Sequence, residues 1–315
     1  MLGNLFVILQ TFTIMTMKKQ IKIWLECFRL RTLPVSLSGV VIAIGLAKWH
    51  HHFQWAPALL CLAFALLAQI VSNTANEYFD YLHGADKPGR VGPRRGVTEG
   101  DIKPNTLRNV TFGLLVLAGI VGCCLIPYGG WWLLPVGIVI ALAALAYSTG
   151  PYPLSYHGLG ELMVFIFFGL VPVNFTYYVQ ALRWDPLVLL ASMTTGLLAV
   201  NVLLINNYRD MDDDREAGKR TSVVIFGRPA AALAYLINGY AGMALLTVLW
   251  IMIGFGRMMP LWTLAIPVIY LVLHTATWYK LRHHDGAALN PLLGGTARNM
   301  LIFTLLLTIA FIIYS

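Results

Sequence analysis

Nine stretches of this chain, near residues 33–49, 55–76, 106–126, 131–147, 161–179, 186–207, 230–253, 260–279 and 297–314, run almost without interruption through apolar side chains. Each approaches the ~20 residues that a helix needs to cross hydrocarbon. The pattern predicts an all-α polytopic membrane bundle of about nine transmembrane helices. Short alternating strands between turns, the signature of an outer-membrane barrel, do not occur. Pro34, Pro57, Pro135, Pro172 and Pro267 fall within or near these stretches and suggest kinks that open a cavity.

Composition agrees with the pattern. Apolar residues make up 58% of the 315 positions and charged residues 11%, against roughly 25% charged residues in a soluble domain. The net charge of +8 resembles that of a nucleic-acid binder until the charges are placed along the chain. With an internal N-terminus, all of the 22 Lys and Arg residues except Lys48, Arg183 and Arg257 fall on one side of the membrane. This is the positive-inside asymmetry. It orients the N-terminus and the long loops toward the cytoplasm and removes the reason to expect a nucleic-acid partner. Cys27, Cys61, Cys123 and Cys124 lack the spacing of a zinc or redox site. Residues 1–16 are apolar but carry no basic leader or clear cleavage site, so Met15 or Met17 is a plausible start. Residues 1–23 are read as an N-terminal cytoplasmic extension and 24–315 as one transmembrane domain.

Chemistry concentrates in two cytoplasmic connections, about 77–105 and 208–229, which are long, charged and rich in Gly. Asn76, Glu77, Asp80 and Asp86 mark the first, and Asp210, Asp212, Asp213 and Asp214 the second. Four crossings separate the two clusters, and an even number returns them to one face. Asn76 and Asp80, Asn206 and Asp210, and Asp210 and Asp214 are each four residues apart, a spacing that projects both members from one side of a helix or its end. Asn76, Asp80, Asp210 and Asp214 offer the oxygen ligands that Mg²⁺ takes when it is shared between carboxylates and substrate phosphates. Lys87, Arg90, Arg94 and Arg95 follow the first cluster, and Arg215, Lys219 and Arg220 the second, where they can clamp phosphate oxygens. The tract His50–His52 reads as a solvated outer loop, and His83, His157, His283 and His284 as ordinary loop histidines. Tyr147, Tyr152, Tyr177 and Tyr178 either anchor at the interface or contact an aromatic substrate.

Three sets of residues then carry a family resemblance. They are Asn73-Thr-Ala-Asn-Glu-Tyr-Phe-Asp80 with Gly84-Ala-Asp86-Lys-Pro and Val91-Gly-Pro-Arg-Arg-Gly-Val-Thr-Glu-Gly100, then Gly150-Pro-Tyr-Pro-Leu-Ser-Tyr-His-Gly-Leu-Gly-Glu161, then Asn206-Asn-Tyr-Arg-Asp-Met-Asp-Asp-Asp214 with Gly218-Lys-Arg-Thr221. From about Trp24 onward the chain resembles the UbiA superfamily of membrane prenyltransferases, and within it the branch that prenylates 1,4-dihydroxy-2-naphthoate in menaquinone biosynthesis. The resemblance implies a helical bundle around a central cavity open to lipid. It also implies transfer of a polyprenyl group from polyprenyl diphosphate to the naphthoate ring, with loss of CO2 and diphosphate and with Mg²⁺ bridging the two Asp-rich motifs. Asn76, Asp80, Asp210 and Asp214 match the metal and catalytic positions. Lys219 matches a diphosphate contact, and Asn73, Lys87, Arg94, Arg95, Tyr147, Tyr152, Asn206 and Arg209 complete the expected substrate-binding set. Glu77 stands where an Asp often follows the motif Asn, and Asp86 lies six residues after Asp80. Asp86 is therefore left outside the metal set. Two other readings stay open at this point: a prenyltransferase for another aromatic acceptor such as 4-hydroxybenzoate, and a cation-coupled transporter. Transporters, however, usually hold their essential charges near the membrane midplane.

Overall fold

A computed structural model describes residues 18–89, 91–254 and 261–315, which are helices and connecting turns with no strand among them. Arg90, Arg257, Met15 and Met17 lie outside the described residues. The helices are α1 (18–27), α2 (Leu33–Trp49), α3 (Trp55–Leu82), α4 (Pro104–Cys123), α5 (Ile126–Gly129), α6 (Leu133–Ala146), α7 (Gly160–Val164), α8 (Val171–Ala181), α9 (Pro186–Arg209), α10 (Met211–Glu216), α11 (Ser222–Ile253), α12 (Ala265–Leu281) and α13 (Asn290–Ile313). A π-helical segment, Phe165–Leu170, joins α7 to α8 as one continuous rod. Among the described residues, seven helical segments are long and apolar enough to cross a membrane, and α2 and α6 are shorter apolar helices. Together they coincide with the nine stretches read from the sequence. The chain is an integral membrane protein.

The boundaries differ where helix continues past the apolar run. α3 does not stop near 76 but extends to Leu82, because nothing interrupts its backbone ladder until Gly84, whose φ of 68° suits only a residue without Cβ. Asn76 and Asp80 thus stand on a rigid helix instead of a loop. α13 likewise begins seven residues ahead of the expected 297. α11 starts at Ser222, where the Thr221 side chain caps Val224 N–H, but Gly227 (φ 84°, ψ 163°) and Pro229 break it. The unbroken part of that helix therefore begins close to the expected 230. The prolines also behave more conservatively than the kink reading supposed. Pro34, Pro57, Pro135 and Pro267 sit in opening turns, where a missing N–H costs nothing. Pro172 does disturb a continuous rod, and the π-helical segment lies directly before it.

The packed core lies on one side of the bundle. α9 packs against α11, α8 and α13, and α2 packs against α13 and α8. Small residues permit the closest approach: a Cβ on Gly169 would lie 2.4 Å from the Cα of Gly196, so the two backbones touch directly. α6 has no buried residue at all. One side of α6 faces outward and the other faces a cavity.

At the end away from the acidic clusters, the α2–α3 and α8–α9 connections are tied together. The His50 ring pairs with the Tyr177 hydroxyl at 2.6 Å, and Gln54 N–H donates to Gln180 Oε1 at 2.6 Å. Lys48 and Arg183 belong to this end, opposite the charged loops.

Candidate active site

A cavity of about 710 Å³ runs between α3, α4 and α6 on one side and α8 and α9 on the other. Its deep part is apolar. Ala65 and Ala68 on α3, Gly119 and Gly122 on α4, and Ala141 and Ala144 on α6 leave room for a chain, while Phe167, Phe168 and Phe175 supply ring faces. Its charged end is lined by Arg29, Asn76, Asp80, Asp86, Lys87, Arg95, Asp210, Asp213, Asp214 and Lys219. Both acidic clusters therefore reach one cavity, as the even number of crossings requires.

Contacts between distant parts of the chain assemble this end. Lys219 Nζ lies 2.9 Å from Asp80 Oδ2, which joins the loop after the second cluster to the first. Tyr156 donates its hydroxyl to Asp80 Oδ1 at 3.1 Å, and Lys219 sits over the Tyr156 ring at 4.9 Å. Burial, then the negative Asp80, push the Tyr156 phenol well above its ordinary pKa, so it acts as a neutral donor. The backbone carbonyl of Tyr156 accepts from Arg220 N–H at 3.0 Å, which holds the 150–161 loop over the same end. Asn76 Oδ1 accepts from Arg29 at 2.5 Å and from Arg95 at 3.5 Å, and its amide donates to Ser148 at 3.1 Å.

In the second cluster, the helical spacing of Asp210 and Asp214 is realised by the bond from Asp214 N–H to Asp210 O at 2.8 Å. Asp210 is buried and gripped by both Nε (2.6 Å) and Nη2 (2.7 Å) of Arg209. Arg209 also donates to Asn206 Oδ1 and Asn290 Oδ1, each at 2.9 Å. Asn290 in turn donates to Val91 O at 3.1 Å, so the start of α13 closes over the first loop. Lys87 and Glu216 bridge the two loops at 2.9 Å on the exposed rim, and that partner raises the Lys87 pKa.

Asn73, Asn76, Asp80, Lys87, Arg95, Tyr147, Asn206, Asp210, Asp214 and Lys219 all line the cavity. Three of the expected substrate-binding residues do not. Arg94 turns to Asp101 at 2.5 Å, Tyr152 is exposed and stacks on His157 with ring centroids 3.5 Å apart, and Arg209 lies beneath the wall as the partner of Asp210. Glu77 faces away from the cavity and supports the loop, accepting from Val97 N–H at 3.2 Å. Asp86, left outside the metal set, pairs with Arg95 at 3.0 Å. The sequence reading missed Arg29, Tyr156 and Glu161. Arg29 looked like topological charge, while Tyr156 and Glu161 lay inside a quoted motif with no role attached.

The fold is a membrane helical bundle around an apolar cavity with a charged mouth. A UbiA homolog from Archaeoglobus fulgidus, solved with DMAPP and Mg²⁺, superposes with a TM-score of 0.67 at 15% identity, covering 93% of this chain and 100% of that one. The model of the UbiA prenyltransferase family matches residues 36–303, and the chain belongs to that family. Among curated relatives, 1,4-dihydroxy-2-naphthoate octaprenyltransferase of Escherichia coli (strain K12) is 36% identical over 90% of this chain and 92% of its own. The enzyme of the same description from Mycobacterium tuberculosis (strain ATCC 25618 / H37Rv) is 39% identical over 67% of this chain and 72% of its own.

Proposed function

We propose that this protein transfers a polyprenyl group from polyprenyl diphosphate to 1,4-dihydroxy-2-naphthoate, releasing CO2 and diphosphate, as a step of menaquinone biosynthesis at the cytoplasmic face of a bacterial inner membrane. The observation that carries this reading is the single cavity that joins two carboxylate clusters and their cations at one end to an apolar, phenylalanine-lined shaft. Similarity to relatives of that description supports the acceptor.

The donor set suits Mg²⁺, since Asn76, Asp80, Asp210 and Asp214 provide only hard oxygen atoms. Among the described residues, no three His, Cys, Asp or Glu side chains form a group that would hold a metal ion alone. Together with substrate phosphate oxygens, those four side chains would complete the coordination of such an ion. Bound there, Mg²⁺ would neutralise charge developing on the departing diphosphate. Lys219, Lys87 and Arg95 bind phosphate oxygens from the protein side. The shaft takes the isoprenoid chain and excludes water, and Phe167 and Phe168, which line it, offer ring density that would favour positive charge on the chain.

Turnover of the purified protein with Mg²⁺ and polyprenyl diphosphate, compared between dihydroxynaphthoate and 4-hydroxybenzoate, tests the acceptor. Prenylated naphthol and CO2 from the first only are expected. Product from hydroxybenzoate alone would reassign the acceptor, and ion flux without product would favour transport.

Because Tyr147 lines the cavity and Tyr152 does not, Tyr147→Ala should lower kcat/KM for dihydroxynaphthoate by about tenfold, the equivalent of about 1.4 kcal/mol. Tyr152→Ala should leave it within about twofold, as for an exposed side chain. Orientation has its own check. With Cys123 and Cys124 replaced by Ser, a cysteine at His83 should react only with reagents that reach the cytoplasm, and one at Trp131 should be labelled from outside. The reverse pattern would overturn the topology.

A further inference from the structure

A hydroxylated ring attacks an allylic carbon fastest when a ring hydroxyl gives up its proton as the new bond forms, because the oxyanion is the stronger electron donor. In a cavity that excludes water, that proton needs a local acceptor. Among the described residues, six carboxyl groups line this cavity: Asp80, Asp86, Asp210, Asp213, Asp214 and Glu161. Asp80, Asp86 and Asp210 are each paired with a Lys or Arg, at 2.9, 3.0 and 2.6 Å. Asp214 belongs to the metal motif, and Asp213 is exposed at the mouth.

Glu161 differs from all of these. Its Oε1 accepts from Asn207 Nδ2 at 2.9 Å and from Ser222 Oγ at 2.5 Å. Neither donor is charged, and among the described residues no Lys or Arg forms an ion pair with this carboxyl group. Its Oε2 is buried and has no hydrogen-bond partner, a state that costs free energy unless another group supplies a proton. Three elements converge to fix it: α7 carries it, α9 gives Asn207 and the first turn of α11 gives Ser222. The adjoining Gly160 lies against Tyr147, since a Cβ at Gly160 would be 3.4 Å from the Tyr147 hydroxyl. Glu161 and Tyr147, the one tyrosine of the expected acceptor pair that reaches the cavity, both line it.

We propose that Glu161 accepts the ring-hydroxyl proton of the aromatic acceptor during prenyl transfer, a role that rests on the reading above. In bonds, the ring carbon that bears the carboxylate supplies an electron pair to the allylic carbon as the C–O bond to diphosphate breaks. The neighbouring hydroxyl becomes a ketone and its proton passes to Glu161 Oε2. The bond from that ring carbon to the carboxylate then breaks, CO2 leaves, and its electron pair restores the aromatic ring through the enolate. Glu161 returns the proton to that oxygen. No external oxidant, reductant or base is required, and the proton count closes on the enzyme.

The test uses full-length protein in detergent or liposomes. Glu161→Gln keeps an acceptor for Asn207 and Ser222, so Mg²⁺-dependent binding of polyprenyl diphosphate and the acceptor KM should stay within about twofold. Its kcat should fall by about 10²–10⁴, the usual worth of a positioned general base. Glu161→Ala should be similarly slow and should regain turnover, saturably, with added formate, which a merely structural side chain would not allow. A kcat within threefold of wild type for Glu161→Gln would overturn the proposal, as would an Ala variant that binds donor but shows no response to formate. If the Glu161→Gln protein does not bind donor, the Ala variant with formate decides. Failure of wild-type protein to prenylate dihydroxynaphthoate would instead count against the function itself.

Discussion

Asp80→Asn is expected to bind membranes and fold as wild type but to turn over about 10²–10³ times more slowly, the scale on which removal of one preorganised group facing developing charge acts. The substitution is nearly isosteric. The new amide keeps one oxygen, which can serve either the Tyr156 hydroxyl, now on Oδ1 at 3.1 Å, or Lys219, now on Oδ2 at 2.9 Å, but not both. It removes the negative charge that would hold a divalent cation against the diphosphate. Steady-state kinetics over a range of Mg²⁺ concentrations measure this, and near-normal kcat at low Mg²⁺ would show that Asp80 is no part of a metal site. Lys219→Ala would separate the two roles, because it removes a phosphate contact and should raise the donor KM more than it lowers kcat.

The second large effect falls on stability, and the structure separates two aspartates that look alike in the sequence. Asp210→Ala strands the guanidinium of Arg209, whose side chain is 1% exposed. Leaving a buried charge unpaired costs about 3–5 kcal/mol, a large part of the roughly 5–15 kcal/mol that keeps a typical domain folded. Thermal unfolding in detergent should show a marked fall in Tm for this variant. Asp214→Ala, at a partly exposed position, should unfold close to wild type while losing turnover. Arg209→Met combined with Asp210→Asn should recover much of the lost stability. Equal Tm for Asp210→Ala and wild type would contradict the buried ion pair. Loss of activity in Asp210→Ala alone is therefore a poor indicator of metal binding.

Apolar pattern was sufficient to read the helical crossings, because a span in hydrocarbon must satisfy its own backbone and leaves a continuous signature. Pattern stopped being informative at the charged ends. Nothing in the polarity of Asn76–Leu82 distinguishes helix from loop, yet α3 continues there and gives Asn76 and Asp80 a fixed frame. The meeting of the acidic clusters was legible from spacing and parity alone. Their partners were not, since Arg29 to Asn76 and Tyr156 to Asp80 are contacts across 47 and 76 residues. Arg94 and Arg95 are neighbours with the same chemistry, and only the turn of the loop sends one to Asp101 and the other to the cavity. Glu161 carries no local signal of its own, because its setting comes from Asn207 and Ser222 on other helices.

The central claim is that both acidic clusters hold one prenyl diphosphate through a divalent cation. Calorimetric binding of a non-ionising polyprenyl thiodiphosphate to the purified protein tests this most directly. Binding that requires Mg²⁺ in wild type and is lost in both Asp80→Asn and Asp214→Asn is the predicted result. Tight binding without a divalent cation, or undiminished binding in either variant, would contradict it.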